Sequence, residues 1–194
     1  MPTTTRKSAA GRGGLSDAAI IAASRRDPTR FAEIFDRHWP RIHRYCVSRA
    51  GAVGEDVAAE TFRVALASLR RFDRTREDAR PWLFGIATNL LRRNLRSESR
   101  RARALLRLHR DQEADLADGV LNRVEAEALG LEVAAALGRL PAAQRDALLL
   151  TAWGELTYEQ VAEATGVSVG TVRTRIHRAR ASIRRSLQPE EALR

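Results

Sequence analysis

The stretch from Leu156 to Arg185, LTYEQVAEATGVSVGTVRTRIHRARASIRR, constrains the fold of this chain more than any other. Thr157 stands where a helix N-cap belongs, with Gln160 three residues on as the reciprocal partner of a capping box. Val161 and the small Ala162 then face inward. Gly166 ends that helix, because it enters the left-handed conformation of a tight turn without a Cβ clash. Val167 fills the gap beside it, and Ser168 caps the helix that follows. In this second helix Val172, Ile176, Ala179 and Ile183 recur at three and four residues, the spacing of one buried stripe. At about 100° per residue, the opposite side carries Gly170, Thr171, Thr174, His177 and Arg178, flanked by Arg173 and Arg175. Two helices joined by a glycine turn, the second apolar beneath and set with Arg and Thr above, make a helix-turn-helix. Such a helix fits the major groove, where Arg pairs with guanine and hydroxyls reach bases or phosphates. The alternative is an amphipathic hairpin with a solvated basic face; the cap, the turn glycine and the small residue in register favour the first reading.

The rest of the chain keeps the helical period. Residues 1–14 are small, polar and basic, and read as a disordered tail. Ser16 is an N-cap ahead of Ile20 and Ile21, and a second helix after the Asp27-Pro28 break runs through Phe31, Ile34, Phe35, Ile42 and Tyr45. Pro40 in its middle predicts a kink or a boundary between two helical pieces. A third helix starts near Gly54 with Val57, Phe62, Ala65, Leu66 and Leu69 as its buried stripe. After the polar stretch RRFDRTREDAR, Pro81 suits the first turn of a fourth helix whose apolar residues are Trp82, Leu83, Ile86, Leu90 and Leu91. No useful strand alternation occurs. The expectation is an all-α fold of two helical bundles joined by a flexible linker: a first domain over 15–96, a linker over 97–119, a helix-turn-helix domain over 120–188 and a tail over 189–194. The linker combines a basic run through Arg100, Arg101, Arg103, Arg107 and Arg110 with acidic Asp111, Glu113 and Asp115.

Charge points to the partner. Lys and Arg number 34 against 24 Asp and Glu, a formal net charge of +10 that is nearly all arginine. Such an excess matches a polyanion, since cations that neutralise phosphates release condensed counterions. No apolar run is long enough to span a bilayer, and the N-terminal residues lack the apolar core of a signal peptide, so no membrane insertion is expected and the cytoplasm is the expected compartment. The single Cys46 cannot form an internal disulfide.

Within this frame the chain resembles a known family. Leu140 to Arg185, with LP..QRDALLL followed by LTYEQVAEATGVSVGTVRTRIHRAR, resembles region four of the extracytoplasmic-function sigma factors. Phe31 to Leu95, with GEDVAAETFRVAL, a polar loop and RPWLFGIATNLLRRNLR, resembles region two. The resemblance implies a transcription initiation factor, not an enzyme, which needs no cofactor. It implies core RNA polymerase (its clamp helices and flap) and promoter DNA as partners, with an anti-sigma factor as inhibitor. In the second domain Gly170, Thr171, Arg173, Thr174, Arg175, His177 and Arg178 would read the minus-35 element. Asp56, Ala59, Glu60 and Arg63 would bind core polymerase, Ala59 standing where the family commonly has Gln. Phe72, Asp73, Arg80, Trp82, Asn89, Arg92, Arg93 and Arg96 would handle the minus-10 element. Physical logic agrees: a polar loop with aromatic ends can hold an unstacked base, and arginines on successive turns can track phosphates. Phe72 and Trp82 can equally be core residues, and Asp56 and Glu60 taken alone can be ordinary solvated carboxylates.

Two rival classes remain at this point. A stand-alone helix-turn-helix regulator would bind duplex DNA without polymerase. A nucleic-acid enzyme would need a catalytic Ser, Tyr or carboxylate cluster, and no GxSxG, P-loop or GxGxxG is present. His38, His43 and Cys46 lack a fourth ligand and a zinc-site spacing, so no metal site is expected.

Overall fold

The computed structural model describes residues 15–108 and 128–187, with side chains described for 15–97 and 132–187. Among them the fold is all-α. The first bundle comprises α1 (Asp17–Ser24), α2 (Ala32–Ala50), α3 (Val53–Ala67) and α4 (Arg80–Leu108), with single 3₁₀ turns at Pro28–Phe31 and Leu69–Arg71. The second comprises α5 (Ala128–Gly138), α6 (Ala142–Ala152), α7 (Tyr158–Thr165) and α8 (Val169–Leu187).

Local signals account for the starts and stops. Ser16 Oγ accepts the Ala19 N–H at 3.3 Å, and Asp27 Oδ1 accepts the Thr29 N–H at 3.1 Å to open the turn at Pro28. In α7 the capping box is complete: Thr157 Oγ1 accepts from Gln160 N at 3.3 Å while Gln160 Oε1 accepts from Thr157 N at 3.0 Å. Gly166 sits at φ 67°, and the Val167 and Gly166 N–H groups reach the carbonyls of Ala162 and Glu163 at 3.1 and 3.3 Å. This pair of bonds is a Schellman ending, which satisfies carbonyls that α7 would otherwise leave open.

Of the two alternatives at Pro40, the boundary is not found: α2 is one helix from Ala32 to Ala50. The proline is on the exposed side, where water can meet the Asp36 carbonyl that has lost its donor. The segment after Arg96 is expected as a linker with transient helix, and α4 continues through its first part to Leu108. Residues 97–108 are mostly Arg, Ala and Leu with no Gly or Pro, a composition of high helix propensity. The remainder of that linker, 109–119, and the expected tails over 1–14 and 189–194 lie outside the described residues.

The bundles share one core. In the first, Ile20, Ile21, Ile34, Ile42 and Leu83 are fully buried, and the Tyr45 ring meets Phe84 edge-on at 5.2 Å while its hydroxyl pairs with Thr88 Oγ1 at 3.0 Å. In the second, Leu150, Val161, Val172 and Ile176 are buried beneath α8. The two sets belong to a single cluster of packed apolar side chains, joined chiefly where α7 lies on α4. Gly85 permits that approach, since a Cβ there would lie only 2.9 Å from the Ala164 carbonyl oxygen.

Candidate nucleic-acid and polymerase interfaces

On α8 the stripe Val172, Ile176 and Ala179 is buried, with Ile183 half-buried, and this fixes which side faces outward. Gly170, Arg173, Thr174, His177 and Arg178 are exposed, and Thr171 and Arg175 are half-buried at the flanks. Ser168 Oγ accepts the Thr171 N–H at 3.2 Å and pairs with its hydroxyl at 2.9 Å. Thr174 Oγ1 donates to the Gly170 carbonyl at 3.0 Å. Among the described residues Arg175 and Arg178 form no ion pair, so both guanidiniums keep their donors for an outside acceptor. All seven residues expected from the sequence therefore lie on one helix, around one outward side.

The residues expected at the minus-10 element divide into two groups. Asn89, Arg93 and Arg96 are exposed at i, i+4 and i+7 of α4, which aligns them on one face, and Arg96 Nε donates to the Arg92 carbonyl at 3.0 Å. The others are engaged within the protein. Asp73 Oδ1 accepts from the Thr75 N–H at 3.0 Å and from its hydroxyl at 2.8 Å. These bonds hold the carboxyl below its usual range, the backbone N–H first and the hydroxyl second. Arg80 grips Asp78 through Nε at 3.0 and 2.9 Å and Nη2 at 2.7 Å. Trp82 is half-buried with its ring 5.3 Å from that of Phe72. Phe72 itself is 4% exposed, so of the two readings left open for it the structure has the core one, and its ring anchors the loop. Arg92 Nε donates to Asp146 Oδ2 at 2.7 Å, across the junction of the bundles.

On α3 Asp56, Ala59 and Arg63 are exposed and Glu60 is half-buried. Glu60 and Arg63 form a bidentate pair, with Arg63 Nε 2.6 Å from Oε2. The hydrogen bonds from Arg63 hold the Glu60 carboxyl below its usual range. Beside this polar strip lies an apolar patch that the sequence reading assigned to the core. Phe35 is 37% and Leu66 39% exposed, and the Phe35 ring stacks on Trp39 and meets Phe62 edge-on, each at 4.9 Å. The available signal was the second aromatic line of α2, Phe35 and Trp39 at i and i+4, beside the buried line Ile34, His38 and Ile42.

The sequence reading also missed Asp146, which is fully buried in α6. Arg49 Nη2 lies 2.7 Å from its Oδ1, as an ion pair without hydrogen-bond alignment, and Arg92 holds the other oxygen. Asp78 Oδ2 accepts from Gln160 Nε2 at 2.8 Å, and Arg76 Nη1 lies 3.5 Å from Glu163 Oε2, so the loop ahead of α4 also meets α7. His38, considered above for a metal, instead places Nε2 2.8 Å from Asp17, and Cys46 is buried.

Two family models match this chain: sigma-70 region 2 over residues 34–101 and sigma-70 region 4 over residues 130–183. The ECF RNA polymerase sigma factor RpoE of Cereibacter sphaeroides is 31% identical over 166 residues, covering 83% of this chain and 89% of that protein. SigW of Bacillus subtilis, also an ECF RNA polymerase sigma factor, is 30% identical over 177 residues, covering 84% and 91%. The chain belongs to the extracytoplasmic-function sigma factors. It is therefore a transcription initiation factor and not an enzyme. Region two spans α2, α3 and most of α4, and region four spans α5 to α8. Among solved structures, CnrH in complex with the cytosolic domain of CnrY superposes with a TM-score of 0.63 at 26% identity, covering 89% of this sigma factor and 97% of CnrH. Among the described residues no helix is long and apolar enough to cross a membrane.

Proposed function

We propose that this sigma factor reads promoter DNA through two surfaces and docks on core polymerase through a third. The outward side of α8 reads the minus-35 element in the major groove, with Arg173 and Arg178 as base readers and Thr171 and Thr174 beside them. The α4 face of Asn89, Arg93 and Arg96, with the loop at Asp73 to Arg80, takes the unpaired minus-10 strand. The α3 strip Asp56, Ala59, Glu60 and Arg63, widened by Phe35 and Leu66, meets the polymerase clamp helices, and the second bundle meets the flap. The protein acts in the cytoplasm, where core polymerase is. An anti-sigma factor holds it inactive; in support, CnrH is seen with the cytosolic domain of CnrY, and an RpoE sigma factor of similar fold from Bartonella quintana with the anti-sigma factor NepR.

The observation that carries this reading is the outward side of α8. Its guanidiniums and hydroxyls are presented on a helix whose opposite side is locked into the core, the arrangement that a groove-reading helix needs. Run-off transcription of genomic fragments with purified core polymerase tests it. Discrete starts that need this protein are expected, whereas a stand-alone regulator would bind duplex DNA and give none. Asp56→Lys with Glu60→Lys sharpens the test. The double variant is expected to keep its helical circular dichroism and lose core binding by at least about thirtyfold, since reversed charge at a docking surface is strongly unfavourable. A folded variant that initiates as well as the parent would remove α3 from the polymerase surface.

A further inference from the structure

Helix α1 lies outside both family-matched segments, which begin at residues 34 and 130. Yet the residue that opens α1 and the residue that caps its end hold the two ends of the loop between α3 and α4. Arg25 Nη2 donates to the Leu69 carbonyl at 2.8 Å, where the loop departs. Asp17 Oδ2 accepts the Ala79 N–H at 2.8 Å, where the loop enters α4. Ala79 is fully buried and precedes the first turn of α4, so no helical carbonyl is available to that N–H. Asp17 supplies the acceptor that the loop cannot provide for itself.

Asp17 is not free to turn away. It is 5% exposed, its Oδ1 accepts from Arg37 Nη1 at 2.5 Å, and His38 Nε2 lies 2.8 Å from its Oδ2. Burial pushes the carboxyl up, but His38, the Ala79 N–H and Arg37 together hold it below its ordinary value, so it stays ionised and acceptor-only. Beneath α1, Ile20 and Ile21 are fully buried, which fixes the helix itself. Between Leu69 and Ala79 only Phe72 enters the core, and residues 73–77 are exposed. The loop is thus held at its two ends by α1, at Phe72 by the core, and along its second half by α7 through Asp78 and Arg76.

We infer that α1 is a positioning element for promoter recognition: Asp17 and Arg25 set the span of the loop from Leu69 to Ala79 and so place its exposed residues against the unpaired minus-10 strand. This rests on the reading of that loop proposed above. Both act through the backbone and touch no DNA, so their removal degrades selectivity for the minus-10 sequence and leaves the minus-35 contact and the polymerase contact in place.

The test uses full-length protein in complex with core polymerase. The probes are a fluorescent single-stranded oligonucleotide carrying the minus-10 sequence of a promoter mapped with the parent, and its scrambled counterpart. The readout is the ratio of the two affinities, which a mere loss of folded protein does not change. Asp17→Ala and Arg25→Ala are each expected to reduce that ratio by about fivefold or more, the scale of a buried polar group left unsatisfied. Arg25→Lys, which can still donate to the Leu69 carbonyl, is expected to restore most of it. Binding of a minus-35 duplex is expected to stay within about twofold of the parent, well under the effect of one lost base contact. If Asp17→Ala does not fold, Arg25→Ala decides. A parental ratio in folded Arg25→Ala overturns the inference. A loop-tip variant, Arg74→Ala with Thr75→Ala and Arg76→Ala, separates the two layers. If it loses selectivity while both α1 variants keep it, the positioning role alone fails; if it too keeps the parental ratio, the minus-10 reading of the loop fails and the inference with it.

Discussion

Helices α4 and α8 are both long and arginine-rich, and both present a polar face beside a buried apolar stripe, but they meet different surroundings. The outward side of α8 faces solvent along its length, with Arg175 and Arg178 unpaired among the described residues. The corresponding side of α4 is bordered by the second bundle. Gly85 lies under the Ala164 carbonyl, and Arg92, one more turn along the same line as Asn89 and Arg96, is held by Asp146. The arginines of α4 are thus partly engaged within the protein, Arg92 by a carboxylate of the other bundle and Arg96 by the Arg92 carbonyl. A helix that reads duplex grooves can stay open, because duplex DNA is available without polymerase. A helix that must receive single-stranded DNA has no ligand until polymerase opens the duplex.

The largest effect is expected at Asp146. Replacing it with Ala leaves Arg49, 3% exposed at its side chain, buried without a counter-charge. Breaking such a buried pair typically costs about 3–5 kcal/mol, which a urea titration will read as a lower midpoint. Separation of the bundles would let both arginines reach water and reduce that loss, and small-angle X-ray scattering would then show a larger radius of gyration. An unchanged midpoint together with an unchanged radius would mean that Asp146 does not hold the junction.

On the open helix, Arg178→Ala and Arg173→Ala are each expected to weaken discrimination between a cognate and a mutated minus-35 duplex. A lost bidentate base contact is worth about 1–3 kcal/mol. Stability should be unaffected, because both side chains are exposed. Equal discrimination in both variants, measured by fluorescence anisotropy, would remove α8 as the reader and with it one side of the comparison.

Gly166→Ala is expected to have the smallest effect. Nothing lies within 4 Å of a Cβ at this position, so the cost is the left-handed backbone alone. That strain is about 1–2 kcal/mol, visible as a lower thermal midpoint, with Gly166→Asn falling closer to the parent because Asn tolerates the conformation better. A midpoint unchanged by Ala would show that α7 does not need this ending to set the angle of α8.

The helix-turn-helix was legible in the sequence because its determinants are local. Thr157 caps with Gln160 three residues away, Gly166 makes the turn, and Val172, Ile176 and Ala179 mark the buried side by spacing alone. What escaped the sequence depends on residues far apart in the chain. Asp146 looks like any surface acid in a helical QRDALLL until Arg49 and Arg92 converge on it. Phe72 was ambiguous because a loop aromatic is a base platform or an anchor according to whether Trp82 covers it, and here the two rings pack together. Phe35 and Leu66 fit the helical period of a core stripe, yet they lie at its edge and remain partly open. Past residue 96 the sequence is read as a linker with transient helix, and α4 continues there to Leu108.

The proposed contrast is between a face of α8 that is open in the isolated protein and a face of α4 that the second bundle borders. It is tested most directly by measuring the affinity of this sigma factor, alone and with core polymerase, for two probes: a minus-35 duplex and a single-stranded minus-10 oligonucleotide. The isolated protein is expected to bind the duplex measurably and the single strand no better than a scrambled control, and core polymerase to confer sequence-selective binding of the single strand. Selective binding of the minus-10 strand by the isolated protein, at the affinity seen with polymerase, would contradict the account.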